Sequence, residues 1–219
     1  MKKIILIVFV FAMVSTDYAS AHKLISHDDS HRDFDSSLVI PDHKISWAIY
    51  ENLGTNEAKF YTFEAKKGDS FYTSIVIPKI QGLENYAPSL ILLGEDKVIL
   101  EKSIYEKGFP GNEFYEPFGQ VTYWERQELR TELPQDGIYF IVVTDEKNQS
   151  GKYSLAVGEI EDFSGENMFT LLPKAWLDTK LFVNDYLSII IAFGIFVALC
   201  SFPIFFIFKK GKIKMKSFS

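Results

Sequence analysis

The chain has 219 residues, of which 47% are hydrophobic, and its 23 lysine and arginine residues against 29 aspartate and glutamate residues give a net charge of −6. This acidic balance argues against nucleic acid as a partner, because phosphate groups require a cationic surface. With one cysteine, Cys200, the chain cannot form an internal disulfide, so a folded domain must depend on its apolar core.

Residues 1–21 have the pattern of a secretory signal peptide. Lys2 and Lys3 precede an apolar run at 4–14, and the small residues at 19–21 suit signal peptidase. The alternative is an uncleaved anchor, but the apolar run is short for a membrane span. We expect cleavage after Ala21.

Residues 22–44 form a polar segment rich in histidine and aspartate, in which His22, His27 and His31 are candidate metal ligands. Imidazole and carboxylate groups suit copper or zinc, and the i,i+4 spacing would place His27 and His31 on one face of a helix. However, no apolar residue between them would pack such a helix, and charged segments of this kind are commonly solvated. Composition favours a solvated tail, with metal capture as the alternative.

Between residues 45 and 160 the apolar pattern has a period of two, which predicts strands. The clearest strand segments are 58–65, 70–77, 89–93, 98–100, 137–144 and 151–158. Turn residues separate them, so consecutive segments are predicted to form three strand–turn–strand units. The domain is therefore predicted to be all-β, an antiparallel β-sandwich of jelly-roll-like type.

Two stretches resemble a known family. The segment 58–77, which contains "FYTFEAKKGDSFYTSIVI", resembles the opening hairpin of bacterial pre-peptidase C-terminal (PPC-like) domains, and "DGIYFIVVTDEKNQSGKYSLAV" at 136–157 is similar to their closing strand pair. The resemblance implies an accessory β-sandwich in a membrane-anchored prokaryotic surface protein, with a role in binding or export. Residues 105–130 do not match the family.

Aromatic residues are concentrated at 109–124, with glycine and proline between them. The candidate ligand-binding residues are Phe114, Tyr115, Phe118, Tyr123 and Trp124. Exposed aromatic side chains would stack on sugar rings or bind a protein partner, whereas buried ones would fill one end of the sandwich. Core packing is the commoner outcome, and the glycine and proline content predicts a long ordered loop rather than two strands.

No catalytic motif is present in the sequence, and all four histidines lie at or before His43. We therefore expect a protein that is not an enzyme. No cofactor is expected, except copper or zinc if the histidine segment binds metal.

The C-terminal part predicts a membrane anchor. Residues 161–186 would form a juxtamembrane stalk or short helix, and the uncharged run from Leu187 to Phe208 is long enough to cross a bilayer. Lys209 and Lys210 begin a basic tail at 209–219, which the positive-inside rule places in the cytoplasm.

This topology would place residues 22–186 outside the cytoplasm. Without the two lysines and Asp17 of residues 1–21 and the five lysines of the tail, 16 basic and 28 acidic residues remain, a net charge of −12. The sequence thus predicts a single-pass cell-membrane protein. Its expected partners are the lipid bilayer and another envelope protein, a glycan or its own copies.

Overall fold

The computed structural model describes the backbone of residues 22–216 and the side chains of residues 22–201. The predicted signal peptide, and the side chains of Phe208, Lys209 and Lys210, lie outside the described residues. The chain divides into two compact units, one ending at Asn167 and the other beginning at Met168.

The first unit is a sandwich of two β-sheets, as predicted. Its strands are β1 Lys23–Leu24, β2 Leu38–Val39, β3 Trp47–Leu53, β4 Ala58–Ala65, β5 Ser70–Pro78, β6 Ser89–Leu93, β7 Ile99–Ser103, β8 Glu113–Glu116, β9 Val121–Glu132, β10 Gly137–Thr144 and β11 Gly151–Val157. Sheet A has the order β1-β3-β11-β5-β9-β8, and sheet B has the order β2-β4-β10-β6-β7. Neighbouring strands are antiparallel except β1 with β3 and β2 with β4.

The core lies between the sheets and consists of alternate residues along each strand. Phe63 of β4 stacks on Phe71 of β5 with ring centroids 4.8 Å apart, and on Tyr139 of β10 at 5.6 Å. Along β10, Tyr139 and Ile141 are fully buried whereas Ile138 is 38% exposed. This alternation is the physical basis of the period of two in the sequence.

The predicted strand positions are confirmed, but two of the three predicted pairings are wrong. β4 and β5 lie in different sheets, as do β10 and β11, whereas β6 and β7 do pair. A period of two indicates which side chains face the core, and both members of a pair can satisfy it from opposite sheets. The turn at 66–69 carries the chain across the sandwich instead of reversing it within one sheet.

The expected solvated tail at 22–44 is also wrong, because this segment belongs to the sandwich. β1 extends sheet A beside β3, and β2 extends sheet B beside β4. His31, Ile40 and His43 are buried. The short apolar stretches at either end of the segment pair with the sheets, and the polar residues between them pass from one sheet to the other.

The expected loop at 109–124 is replaced in part by a strand pair. β8 pairs with β9 in antiparallel register from Glu113↔Trp124 to Glu116↔Val121. The carboxylate of Glu116 accepts hydrogen bonds from the backbone N–H groups of Phe118 at 2.7 Å and Gly119 at 2.6 Å, which stabilises the turn.

The second unit contains helices α1 (Met168–Phe182) and α2 (Tyr186–Lys216). Asp185 caps α2, since its side chain accepts hydrogen bonds from the backbone N–H of Ser188 at 3.1 Å and from Lys180 Nζ at 2.9 Å. The hydrogen bonds from Ser188 and Lys180 lower the pKa of Asp185 to about 2. Among the described residues, no helix has both the length and the apolar character needed to cross a membrane.

Gly158, directly after β11, lies close to the backbone of residues 43–45, which precede β3. A substitution at Gly158 can therefore test how closely this segment packs. The φ of Gly158 is +75°, and a Cβ atom there would lie 2.7 Å from the carbonyl oxygen of His43. Gly82 has a φ of +95°, but a Cβ atom there would have no atom within 4 Å apart from its chain neighbours, which makes Gly82 a matched control.

We expect Gly82→Ala to lower the free energy of unfolding by about 1–2 kcal/mol, the cost of a left-handed conformation for alanine. Gly158→Ala should lower the free energy of unfolding at least twice as much, because its methyl group would also overlap the backbone carbonyl groups of His43 and Ile45, which would have to move. Denaturant unfolding of the full-length variants measures the difference, and equal losses would contradict the close approach.

Candidate functional site

A pocket of about 260 Å³ lies on the outer face of sheet A. Small outward-facing residues from three neighbouring strands line it, namely Ala48 of β3, Ser74 of β5, and Ser154 and Ala156 of β11. They alternate with core residues, so they point away from the core. Because these side chains are short, the middle of the sheet surface is low, and the larger side chains of Tyr50, Tyr72 and Phe114 border it.

The charges around this sheet A pocket are mainly negative. Glu116, Glu125 and Glu128 line it, together with Lys107 and Arg126. The Arg126 guanidinium group already donates hydrogen bonds to backbone carbonyl oxygens elsewhere. The pocket therefore offers carboxylates more readily than cations to an incoming ligand.

Arg126 holds the surrounding loops in place, a role that the sequence analysis missed. It lies at a β-bulge of β9, donates from Nε to Tyr86 O at 2.9 Å and from Nη2 to Glu84 O at 3.0 Å, and contacts the Tyr105 ring at 4.9 Å. Burial lowers the pKa of its guanidinium group. The bulge interrupts the alternation along β9, so a period of two could not indicate where Arg126 points.

The five predicted ligand-binding aromatic residues differ in their exposure to solvent, since some are buried and others are exposed. Tyr123 and Trp124 are each only 3% exposed, whereas Phe114 is 41% and Tyr115 is 56% exposed. Phe118 is exposed to solvent over part of its side chain, beside the turn that Glu116 stabilises. Phe114 and Tyr123 are cross-strand neighbours and both line the sheet A pocket. Burial and a hydrogen bond with Tyr50 raise the pKa of Tyr123, so its hydroxyl group stays protonated.

A second site is a cluster of buried polar groups between the sheets, centred on Glu51 of β3. Glu51 Oε1 lies 2.6 Å from His31 Nε2 and accepts a hydrogen bond from the Tyr61 hydroxyl at 3.1 Å. Lys59 Nζ is 4.0 Å from Glu51 Oε2 and also donates to Asp29. The Tyr61 and Tyr153 hydroxyl groups are 2.8 Å apart, and burial raises the pKa of both, so both stay neutral.

The structure brings together two of the three predicted metal-ligating histidines. His27 Nε2 lies 3.3 Å from Glu51 Oε1, and the His27 and His31 rings are 4.8 Å apart, although the segment is not helical. His22 lies elsewhere, with Nδ1 2.5 Å from Ser46 Oγ, and lines the sheet A pocket. The donor atoms that lie within 4.8 Å of one another are those of His27, His31 and Glu51, and His22 is not among them.

The sequence analysis missed Glu51, Lys59 and Tyr61, although it contained a signal for two of them. Glu51 lies between Ile49 and Leu53 at the core-facing positions of β3. Lys59 occupies the same face of β4 as Tyr61 and is fully buried. A charged residue at a core-facing position requires a buried partner, and such residues therefore indicate a polar cluster.

Among known proteins, no family model and no curated protein sequence matches the chain. Solved structures similar to it include the periplasmic g-type lysozyme inhibitor PliG of Aeromonas hydrophila, with 14% identity and a TM-score of 0.38 over 63% of this chain and 98% of that one. PliG of Salmonella Typhimurium matches with 19% identity and a TM-score of 0.35 over 56% and 96%.

The pre-peptidase C-terminal domain of a Bacillus anthracis collagenase is also similar, with 14% identity and a TM-score of 0.34 over 54% of this chain and 91% of that one. TM-scores and identities of this size do not establish a common family or a common function.

Lys59 and Lys79 provide a matched pair for testing the buried cluster. The Lys59 side chain is 0% exposed between Asp29 and Glu51, whereas Lys79 is 47% exposed and pairs with Glu113 at 2.6 Å. Lys59→Met should cost about 3–5 kcal/mol of unfolding free energy, because it leaves a buried carboxylate without its cation.

Lys79→Met should cost at most about 1 kcal/mol, because exposed ion pairs contribute little. Denaturant unfolding of both full-length variants is the measurement. Similar losses of unfolding free energy in the two variants would show that the buried ion pair stabilises the fold no more than the exposed one.

Proposed function

We propose that this chain is a non-catalytic, membrane-anchored protein that binds another envelope protein outside the cytoplasm. The observation that carries the proposal is the acidic sheet A pocket beside the exposed aromatic residues of β8. The lack of any catalytic motif in the sequence supports a binding role, and the expected signal peptide supports an extracytoplasmic location.

The chemistry of this surface favours a protein with a basic patch. Phe114 and Tyr115 present large, partly exposed rings on opposite faces of β8, which is one of the two edge strands of sheet A among the described residues. Aromatic side chains of this kind carry much of the binding energy in protein interfaces. Glu116, Glu125 and Glu128 nearby would attract lysine and arginine side chains and increase the association rate.

Helix α2 supports the proposed anchor. Four of its described apolar residues point in different directions around the helix, and each is about two-thirds exposed: Leu187 (67%), Ile190 (67%), Phe193 (67%) and Leu199 (68%). A helix that is apolar on all sides requires an apolar environment. The uncharged run at 187–208, whose side chains are described only to Ser201, and the lysines after it fit in sequence a lipid bilayer with the basic end in the cytoplasm.

The anchor is tested by placing two charges within it. Ile191→Asp with Phe196→Asp should release the protein from membranes, because each charge costs about 2.5–3.5 kcal/mol at the centre of a span. Leu172→Asp with Leu177→Asp in α1, outside the run, is the control and should leave the protein in the membrane. Carbonate extraction followed by immunoblotting distinguishes them, and retention of both variants would contradict the anchor.

The binding surface is tested by photo-crosslinking in intact cells. A photoreactive amino acid at Phe114, which lines the sheet A pocket, should give a discrete adduct with one protein, whereas the same amino acid at Ile138, exposed on sheet B, should not. Phe114→Ala with Tyr115→Ala should then raise the Kd for that protein at least about tenfold, since lost hot-spot contacts cost more than 1 kcal/mol.

Val39→Ala with Ile138→Ala removes comparably exposed apolar side chains from sheet B and should leave this Kd unchanged. The interaction should weaken with salt if the carboxylates contribute. Equal adducts from both positions, no adduct at all, or binding of a glycan instead would overturn the proposal.

A further inference from the structure

His27, His31 and Glu51 place three metal-ligating atoms together where the chain passes from sheet A to sheet B, and we propose that they bind one Zn²⁺ ion. The three donor atoms lie within 4.8 Å of one another. Two imidazole nitrogens and one carboxylate oxygen form a ligand set that zinc uses in proteins, with a fourth position left for another oxygen.

Two of the donor separations are close to those around a zinc ion, and all three donor atoms lie within 4.8 Å of one another, so the two histidine side chains must move closer together to bind it. Zinc lies about 2.0–2.2 Å from nitrogen and oxygen ligands, so two tetrahedral ligands are roughly 3.3 Å apart. His27 Nε2 and Glu51 Oε1 are already 3.3 Å apart. His31 Nε2 is 2.6 Å from the same oxygen, so the metal must replace that hydrogen bond and open the gap by roughly 0.7 Å.

Two buried atoms of this cluster have no hydrogen-bond partner in the described part of the chain. They are Glu51 Oε2 and His31 Nδ1. Because Glu51 is only 3% exposed, an unsatisfied carboxylate oxygen there is costly, and a bound ion is one of the ordinary explanations. Oε2 lies 4.0 Å from Lys59 Nζ, so Oε1, which is near both histidine Nε2 atoms, is the ligating oxygen.

The remaining contacts of His27 show how the ion would fit. Its Nε2 lies 3.2 Å from the carbonyl oxygen of Tyr50, which, or a water molecule, could complete the coordination. The backbone N–H of Asp29 donates to Nδ1 at 3.3 Å. Zinc at Nε2 moves the ring proton to Nδ1, so this long contact is given up. The His27 side chain is 12% exposed, and it gives the site access to solvent.

Zinc is the ion that this ligand chemistry favours. The three ligands and one further oxygen suit the tetrahedral coordination of Zn²⁺, whereas Cu²⁺, which also binds imidazole, prefers a square-planar arrangement. Residues 25–37, between β1 and β2, pass from sheet A to sheet B and are called the crossing segment. The ion would link this segment, through His27 and His31, to Glu51 of β3. None of the three ligands lines the sheet A pocket, so a failure to bind zinc would leave the proposed binding function intact.

The test uses the full-length protein, purified in detergent without a polyhistidine tag and freed of metal with a chelator. Zn²⁺ titration by calorimetry should give one ion per chain, and Zn²⁺ should raise Tm. Co²⁺ in its place should give the intense visible absorption of a tetrahedral site. No stoichiometric binding, or only the weak spectrum of octahedral Co²⁺, would overturn the proposal.

Variants distinguish this site from a loosely chelating segment. His27→Ala should weaken Zn²⁺ binding at least about 100-fold, whereas His22→Ala should leave it unchanged, because His22 bonds to Ser46. Glu51→Gln tests the carboxylate, and the far-UV circular dichroism of each metal-free variant shows whether it is folded. Equal losses for His22→Ala and His27→Ala, or no loss for a folded His27→Ala, would refute the site.

Discussion

Burial of the Glu51 carboxylate determines how β3, β4 and the crossing segment between β1 and β2 are arranged. Glu51 lies between the two sheets, where an ionised group is stable only if it is paired and hydrogen-bonded. Its partners come from separate parts of the chain, His31 from the crossing segment and Tyr61 and Lys59 from sheet B. A single side chain thereby fixes β3, β4 and the crossing segment relative to one another, and the residues expected to be solvated are held inside the fold.

The same strand connects the buried cluster with the sheet A pocket. Glu51 faces the core, and Tyr50, its neighbour on β3, faces the pocket and hydrogen-bonds with Tyr123. The carbonyl oxygen of Tyr50 also lies 3.2 Å from His27 Nε2. Because successive residues of a strand face opposite sides, a displacement of β3 at the cluster would also move the floor of the pocket. The two candidate sites are thus mechanically linked through one strand, although they would bind different ligands.

Much of the sandwich was predictable because its long strands alternate regularly. β4, β6 and β10 begin and end where the pattern predicts. The pattern could not assign β5 to sheet A, since Phe63 and Phe71 face the same core from opposite sides. Sites were harder to predict. β1 and β2 have two residues each, too few to show a period beside a polar stretch. Phe114 and Tyr115 are adjacent, so in a strand they must face opposite ways, which only the strand assignment of β8 reveals.

The order of strands has a consequence for how the chain acquires its structure. β11 is the last strand of the sandwich in sequence, yet it lies between β3 and β5 in sheet A, and β10 likewise separates β4 from β6 in sheet B. A chain that emerges N-terminus first, from a ribosome or a translocation channel, therefore holds sheet B in two halves until residue 144 has appeared, and sheet A in two halves with open backbone edges until residue 157 has appeared. During that interval the nascent polypeptide is vulnerable to aggregation, and a holding chaperone would have its greatest effect there.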